Sequence, residues 1–287
     1  MSRALLILVL LFCAFAAPAE EVAFTLVSPL SGNQELMRRL LSRDEAAAIA
    51  ADLAQSGKRL ADQPVDPSRE HFALYVPPEV PPGGYALLVF VPPWQQLRIP
   101  RGWEEVLDRL GVIYVSAGQS GNEESTNARR EPLALIAAAN VMARYPVDPA
   151  RIFIGGFSGG SRVAERLALG YPDLFRGAVL EAGSDRVDER DLPLPPDDLL
   201  RRFQEDSRLV FVTGENDSLN RRLDGDTMQS LEGICQFGFA SQTVPWLGHA
   251  ILPPGALELA LRTLLNPSPL DRVRLEECRA GSMSHAH

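Results

Sequence analysis

Histidine is scarce in this chain, with four among 287 residues, so any chemistry that needs an imidazole has few positions to draw on. Basic runs are missing as well, and the net charge is −9. Without a continuous basic stretch to neutralise phosphates, nucleic acid is excluded as a general partner. The same negative balance disfavours docking on an anionic membrane surface. Apolar runs are short: Ala4–Ala16, at 13 residues, is too brief to span a bilayer comfortably. Cysteine is limited to three positions, none at metal-ligand spacing with a histidine, so neither a bound metal nor an organic cofactor is expected.

What is present begins with that short apolar run. Arg3 precedes it, and Ala14-Phe15-Ala16 and Ala17-Pro18-Ala19 both fit a small-residue cleavage pattern after it. Residues 1–19 therefore read as a cleaved secretory signal peptide, with an uncleaved anchor as the alternative. The mature protein is then expected to be secreted or periplasmic, with no stable membrane insertion. Two cysteines remain, Cys235 and Cys278. An oxidising compartment would allow them to pair, and two buried thiols are the other reading.

Residues 20–70 read as an N-terminal helical extension. Two helix-like stretches start near Glu35 and Asp44, with Ser42 as an N-cap. No residue type there suggests chemistry, so packing against the main domain is the expected role. From His71 the pattern changes. Short apolar strands (His71–Val76, Ala86–Val91, Val112–Ser116, Ile152–Ile154, Ala178–Ala182, Leu209–Thr213 and Ser241–Trp246) alternate with helical stretches up to Leu265. This alternation predicts an α/β class with a mostly parallel sheet covered on both faces. Residues 71–267 form one catalytic domain in this reading, and residues 268–287 a polar C-terminal tail.

The run Arg151-Ile-Phe-Ile-Gly-Gly-Phe-Ser-Gly-Gly carries the chemistry. An apolar strand leads into Gly156-Phe157-Ser158-Gly159-Gly160, which fits G-x-S-x-G, and a helical stretch follows to Leu169. Strand, sharp turn and helix together are the context of a nucleophile elbow, which holds Ser158 in a strained turn and projects its hydroxyl. A phosphate-cradling loop is the rival, but no Lys-Ser/Thr pair follows and the glycine spacing is wrong.

A serine hydroxyl needs a base, and the base needs an acid to orient it. His71 precedes the serine, and His285 and His287 lie in the polar tail, which leaves His249. The carboxylate is expected just past the Leu209–Thr213 strand, on the sheet edge that carries the elbow. Asp217 is the choice, with Glu215, Asp224 and Asp226 as alternatives and helix capping as the competing role. The oxyanion hole needs two backbone donors. Gly159 follows the nucleophile, while Pro92 and Pro93 have no N–H, so Trp94 is the first residue after Val91 able to donate and Gln95 the next.

These residues resemble the α/β-hydrolase superfamily over roughly Phe72–Leu265, and within it the secreted esterases of the polyhydroxybutyrate-depolymerase and feruloyl-esterase type. The likeness rests on the elbow run, on Gly170-Tyr-Pro-Asp-Leu-Phe-Arg-Gly, on Gly214-Glu-Asn-Asp and on Gly248-His. It implies an α/β-hydrolase fold with a short or absent lid and a serine esterase with Ser158 as nucleophile, Asp217 as acid and His249 as base. It also implies a small-molecule or polymeric ester as partner. Such esterases commonly carry His-Gly where this chain has Pro92-Pro93. A serine peptidase of the same fold, and an inactive hydrolase-fold binding protein, are the rival functions.

Overall fold

The computed structural model describes residues 20–187 and 192–284. The expected leader, residues 188–191 of the surface excursion, and His285 and His287 lie outside the described residues. One eight-stranded sheet organises the chain, in the spatial order β1-β2-β4-β3-β5-β6-β7-β8. The strands are β1 (Glu20–Ala23), β2 (His71–Tyr75), β3 (Tyr85–Val91), β4 (Val112–Ala117), β5 (Val147–Phe157), β6 (Gly177–Glu181), β7 (Arg208–Gly214) and β8 (Phe239–Val244). β2 pairs antiparallel with both β1 and β4, and every other pairing is parallel.

Side-chain alternation along the central strands builds two cores. On β3, Leu87, Val89 and Val91 enter one hydrophobic cluster, while Ala86, Leu88 and Phe90 enter the other. The first cluster is closed by α4 (Glu131–Arg144) and α5 (Gly159–Gly170), and the second by α3 (Trp103–Leu110) and α8 (Pro254–Leu265). Both faces are thus covered, and β3 and β4 are buried along their whole length. Among the described residues, no helix is long and apolar enough to cross a membrane.

The segment 20–70 is less separate than its composition suggests. β1 continues the sheet by pairing with β2 in the register Glu20↔Leu74 to Ala23↔His71. Its sequence, Glu-Glu-Val-Ala, is short and largely exposed, so no alternation marks it as a strand. Two helices follow, α1 (Asn33–Leu40) and α2 (Arg43–Gln55), the second opened by a capping box between Ser42 and Glu45. α1 is fastened by Arg39, which is buried, binds Asp173 at 2.7 and 3.1 Å and lies 4.6 Å over the Tyr171 ring. The extension is therefore built onto the main domain through the sheet and a buried ion pair.

The C-terminal tail also needs correction. Residues 272–284 form a helix, α9 (Arg272–Ser284), set against α6 (Asp197–Asp206) and α7 (Ser218–Gly233). Cys235 and Cys278 form a disulfide that closes a 43-residue separation. Arg279 reinforces it through Gln204 and Glu205 on α6, and Arg274 through Glu232 on α7. Leu275 is the one buried apolar side chain of α9 among those described, so the covalent link and these arginines carry most of its attachment.

Among the described residues, two glutamates sit inside the core without a cation in contact. Glu165 on α5 accepts from the Asp185 N–H at 2.7 Å, and Glu181 at the end of β6 accepts from the Leu252 N–H at 3.4 Å. One carboxyl oxygen of each has no partner among the described residues. Burial raises both carboxyls well above the ordinary glutamate range, because the charged form is poorly solvated there. The folded protein then keeps these protons to higher pH than the unfolded chain does. Their contribution to stability is complete below the ordinary glutamate range and is lost as pH rises through the raised folded values.

Two outcomes are expected. Replacing both Cys235 and Cys278 by Ser lowers the unfolding free energy by about 2–4 kcal/mol, measured by urea denaturation; an unchanged midpoint contradicts the anchoring role of the disulfide. Glu181→Gln removes one of the two carboxyl titrations. Its Tm should fall less steeply than that of the wild type as pH rises above the ordinary glutamate range, and parallel curves would contradict the account.

Candidate active site

Ser158 closes β5 and opens α5 with φ 56° and ψ −122°, a conformation that costs a non-glycine residue of order 1–3 kcal/mol. Its neighbours make the turn geometrically feasible. A Cβ at Gly156 would lie 2.3 Å from the Gly160 carbonyl oxygen, and one at Gly160 would lie 2.0 Å from the Val91 carbonyl oxygen. Only glycine lets α5 start this close to β3. The Ser158 N–H donates to the Glu181 carbonyl at 2.8 Å, which ties the turn to β6.

His249 comes from the loop between β8 and α8. Its Nε2 lies 3.0 Å from Ser158 Oγ and its Nδ1 lies 2.7 Å from Asp217 Oδ2. A carboxylate only accepts hydrogen bonds, so Nδ1 carries the proton and Nε2 is left as the acceptor for the serine hydroxyl. The His249 ring also rests against Phe157, with 4.9 Å between ring centroids.

Asp217 follows β7 at the sheet edge, and its two oxygens divide the roles that its position suggested. Oδ1 caps α7 by accepting from the Asn220 N–H at 3.3 Å, while Oδ2 faces His249 and also accepts from the Asn220 amide at 2.8 Å. Burial pushes the carboxyl up, but the hydrogen bonds from His249 and Asn220 outweigh it and hold Asp217 below the ordinary aspartate value. Asn220 gave no sign in the sequence, because an amide at a helix start reads as ordinary capping. None of the alternative acids hydrogen-bonds to His249 among the described residues. Glu215 accepts from the Trp246 N–H at 2.9 Å. Asp224 is buried and accepts from Ser184 at 2.7 Å and Thr213 at 2.5 Å.

The Gly159 and Trp94 N–H groups have no intramolecular acceptor among the described residues, as oxyanion donors require. The loop that carries Trp94 is built around the missing donors of its two prolines. Pro92 and Pro93 contribute carbonyls instead: Pro92 accepts from Arg130 Nη2 at 3.0 Å, and Pro93 accepts from the Asn122 N–H at 3.2 Å. Arg130 Nε binds the Ser120 carbonyl at 3.0 Å, so one buried guanidinium clamps two loops. Those loops meet the elbow. A Cβ at Gly121 would approach the Trp94 carbonyl carbon to 2.9 Å, and one at Gly159 would approach Asn122 Oδ1 to 2.4 Å. Sequence reasoning did not find Arg130 or Asn122, since an Arg-Arg pair before a helix reads as a solvated face. Gln95, the fallback donor, uses its side chain to brace the Gly121 N–H at 3.0 Å.

Trp94 is partly buried against Phe90, with the Arg98 guanidinium 3.9 Å over its ring. Trp246, expected at the end of the last strand, lies beyond it. β8 stops at Val244, and Trp246 is 85% exposed with φ 61°. Its N–H is held by Glu215 and its carbonyl by Asn216, at 2.9 and 3.1 Å. This indole stands in the same loop as His249, whose own side chain is 45% exposed. The Ser158–His249 pair is therefore reachable from solvent.

No protein-family model matches the chain. NocK of Nocardia uniformis subsp. tsuyamanensis, provisionally named an esterase, is 26% identical over 202 residues, and the match covers 60% of this chain and 56% of NocK. The chain thus matches little more than half the length of that relative. Three solved structures superpose more completely. Acetyl xylan esterase from Aspergillus awamori gives a TM-score of 0.52 at 12% identity, covering 69% of this chain and 95% of that one. The S-formylglutathione hydrolase FrmB of Staphylococcus aureus gives 0.51 at 13%, covering 69% and 93%. LpqC, a poly(3-hydroxybutyrate) depolymerase of Bordetella parapertussis, gives 0.50 at 16%, covering 73% and 88%. Strand order, the strained serine turn after β5 and the superposition agree: this chain has the α/β-hydrolase fold.

Proposed function

We propose that the protein is a serine-dependent carboxylic ester hydrolase, with Ser158 as nucleophile, His249 as general base and Asp217 as the orienting acid. One observation carries this reading. The hydroxyl, imidazole and carboxylate form a continuous relay of 3.0 and 2.7 Å across three separate loops, and the serine stands on a strained elbow. The esterase names among the similar proteins point the same way.

In the proposed reaction Ser158 Oγ attacks the ester carbonyl as its proton passes to His249 Nε2. Asp217, held ionised below the ordinary range, stabilises the resulting imidazolium. The oxyanion rests on the N–H groups of Gly159 and Trp94. His249 then returns the proton to the departing alcohol oxygen. Water, deprotonated by the same imidazole, releases the acid from the acyl-enzyme and restores Ser158. The accessible relay and the exposed Trp246 leave room for a bulky or polymeric group on the alcohol side of the ester. Export is part of the proposal, since the leader-like residues 1–19 and a disulfide both suit an oxidising compartment.

A fluorophosphonate probe should label the wild-type protein at Ser158, located by peptide mass spectrometry, and should leave Ser158→Ala unlabelled. Nitrophenyl esters should be turned over and peptide anilides should not; turnover of anilides alone would establish a peptidase instead, and no labelling a binding protein. Asp217→Asn, which leaves shape intact but lets the imidazole adopt the wrong tautomer, should lower kcat by about 10³–10⁴-fold with little change in KM. A loss below tenfold would remove Asp217 from the relay.

A further inference from the structure

An open cleft of about 420 Å³ lies beside the elbow, with Gly159, Asn122, Arg130, Arg162 and Arg166 in its lining. Neither His249 nor Trp246 lines it. A leaving alcohol departs toward the imidazole that protonates it, and a cleft bordered by Gly159 but not by His249 suits the acyl chain instead.

Its charges are not balanced. Arg162 is paired with Asp185 at 3.0 Å, and Arg166 with the buried Glu131 at 2.7 Å. Arg130 has hydrogen bonds to two carbonyls but forms no ion pair among the described residues, and its Nη1 has no protein partner among them. Arg130 is only 4% exposed, and Glu131 and Glu123 act on it through space without contacting it. A buried charge with no carboxylate in contact is costly, and an anion in the adjoining space offsets that cost. A second source of positive potential converges on the cleft. The 12-residue α5 begins at Gly159 with no side-chain cap and no acidic residue in its first turn. Two carboxylates also line the cleft, but both are engaged: Asp185 by Arg162, and Glu45 by the capping box of α2.

We propose that this cleft is an acyl-side subsite for a carboxylate, and that the preferred substrates are esters whose acyl chain ends in an acid group, such as half-esters of short dicarboxylic acids. The proposal rests on the ester-hydrolase reading of Ser158 and specifies its substrate class. Arg130 Nη1 and the Asn122 amide supply the hydrogen bonds to the carboxylate. The oxyanion loop is held from behind by Nη2 of the same guanidinium, so occupancy of the subsite and the shape of the oxyanion hole share one side chain.

Matched esters test it. Monoethyl adipate and ethyl hexanoate have acyl chains of equal length and differ by the terminal carboxylate; carboxymethyl hexanoate places the carboxylate on the alcohol side. By pH-stat, wild-type kcat/KM should favour monoethyl adipate over ethyl hexanoate by about tenfold, the scale of one charge-assisted hydrogen bond. Arg130→Gln should bring that ratio close to one, and Arg130→Lys should keep part of it. Preference for ethyl hexanoate or for carboxymethyl hexanoate overturns the assignment. So does an Arg130→Gln protein that slows both substrates equally and keeps the ratio, because Arg130 would then act only on the loop. If no ester is hydrolysed, the hydrolase reading fails separately and adipate binding decides the subsite. A saturable rise in Tm with adipate in the wild type, absent in Arg130→Gln, supports it, and no rise in either protein overturns it.

Discussion

Everything at the candidate site depends on the contact between the start of α5 and the end of β3, where backbone meets backbone. Gly160 brings its Cα so near the Val91 carbonyl that no side chain fits between them. That contact sets the direction of α5, forces Ser158 into its left-handed turn, and places the Pro92–Trp94 loop directly over the first N–H groups of the helix. Strain at Ser158 is held by the hydrogen bond to Glu181 on one side and by this close packing on the other. Relaxing the turn would require moving a fully buried central strand. The cost of the elbow is therefore distributed over the sheet, which explains why a local conformation this unfavourable persists.

The proline pair follows from the same contact. A loop that must leave N–H groups unpaired for an incoming oxyanion has to be fixed by its carbonyls. Pro92 and Pro93 have no donors to misdirect, and both carbonyls are in use, one by Arg130 and one by the Asn122 N–H. Rigid φ at two successive positions lowers the freedom the loop would otherwise lose. Where the resemblance implies His-Gly, this chain has a loop clamped through its carbonyls. The clamp is a buried guanidinium, so the loop and the neighbouring cleft share an electrostatic environment.

Much of the site was legible in the residues because its chemistry is tied to strand ends. G-x-S-x-G after an apolar strand, one suitably placed histidine and a carboxylate past the next-but-one strand were enough to select Ser158, His249 and Asp217, which the structure brings within hydrogen-bonding distance. The α/β class followed from fully apolar strands between helices. What escaped lacks periodic or compositional signal. β1 is four residues with no apolar alternation and exists only because β2 offers an edge. α9 has too little apolar surface to announce itself and depends on a disulfide whose partner lies 43 residues away. Arg130, Asn122 and Asn220 act through loops brought together in three dimensions, and their types are common on solvated surfaces. β8 ends at Val244, two residues short of the strand end expected at Trp246.

The extension 20–70 now has a physical role that its plain composition concealed. It does not contribute a group to the relay, yet its residues line the clefts that flank the oxyanion loop. Leu41 and Glu45 close the cleft beside Gly159. Residues 64–66, 69 and 70, with Glu21 of β1, line a larger cleft of about 740 Å³ whose other side includes Gln95, Gln96 and Leu97. These walls are fixed to the main domain by apolar burial and charged contacts together: Phe24, Leu36, Leu40 and Val65 enter the first core, while Arg39 pairs with Asp173, Arg129 with Glu70, and Arg166 donates to the Leu40 carbonyl. α2 buries no residue completely, so little hydrophobic energy holds it. α2, which adds nothing to that core, can be altered without unfolding the sheet. The shape of the ground around Ser158 is thereby separable from the machinery that would perform the reaction, with the extension setting the first and the strand ends setting the second.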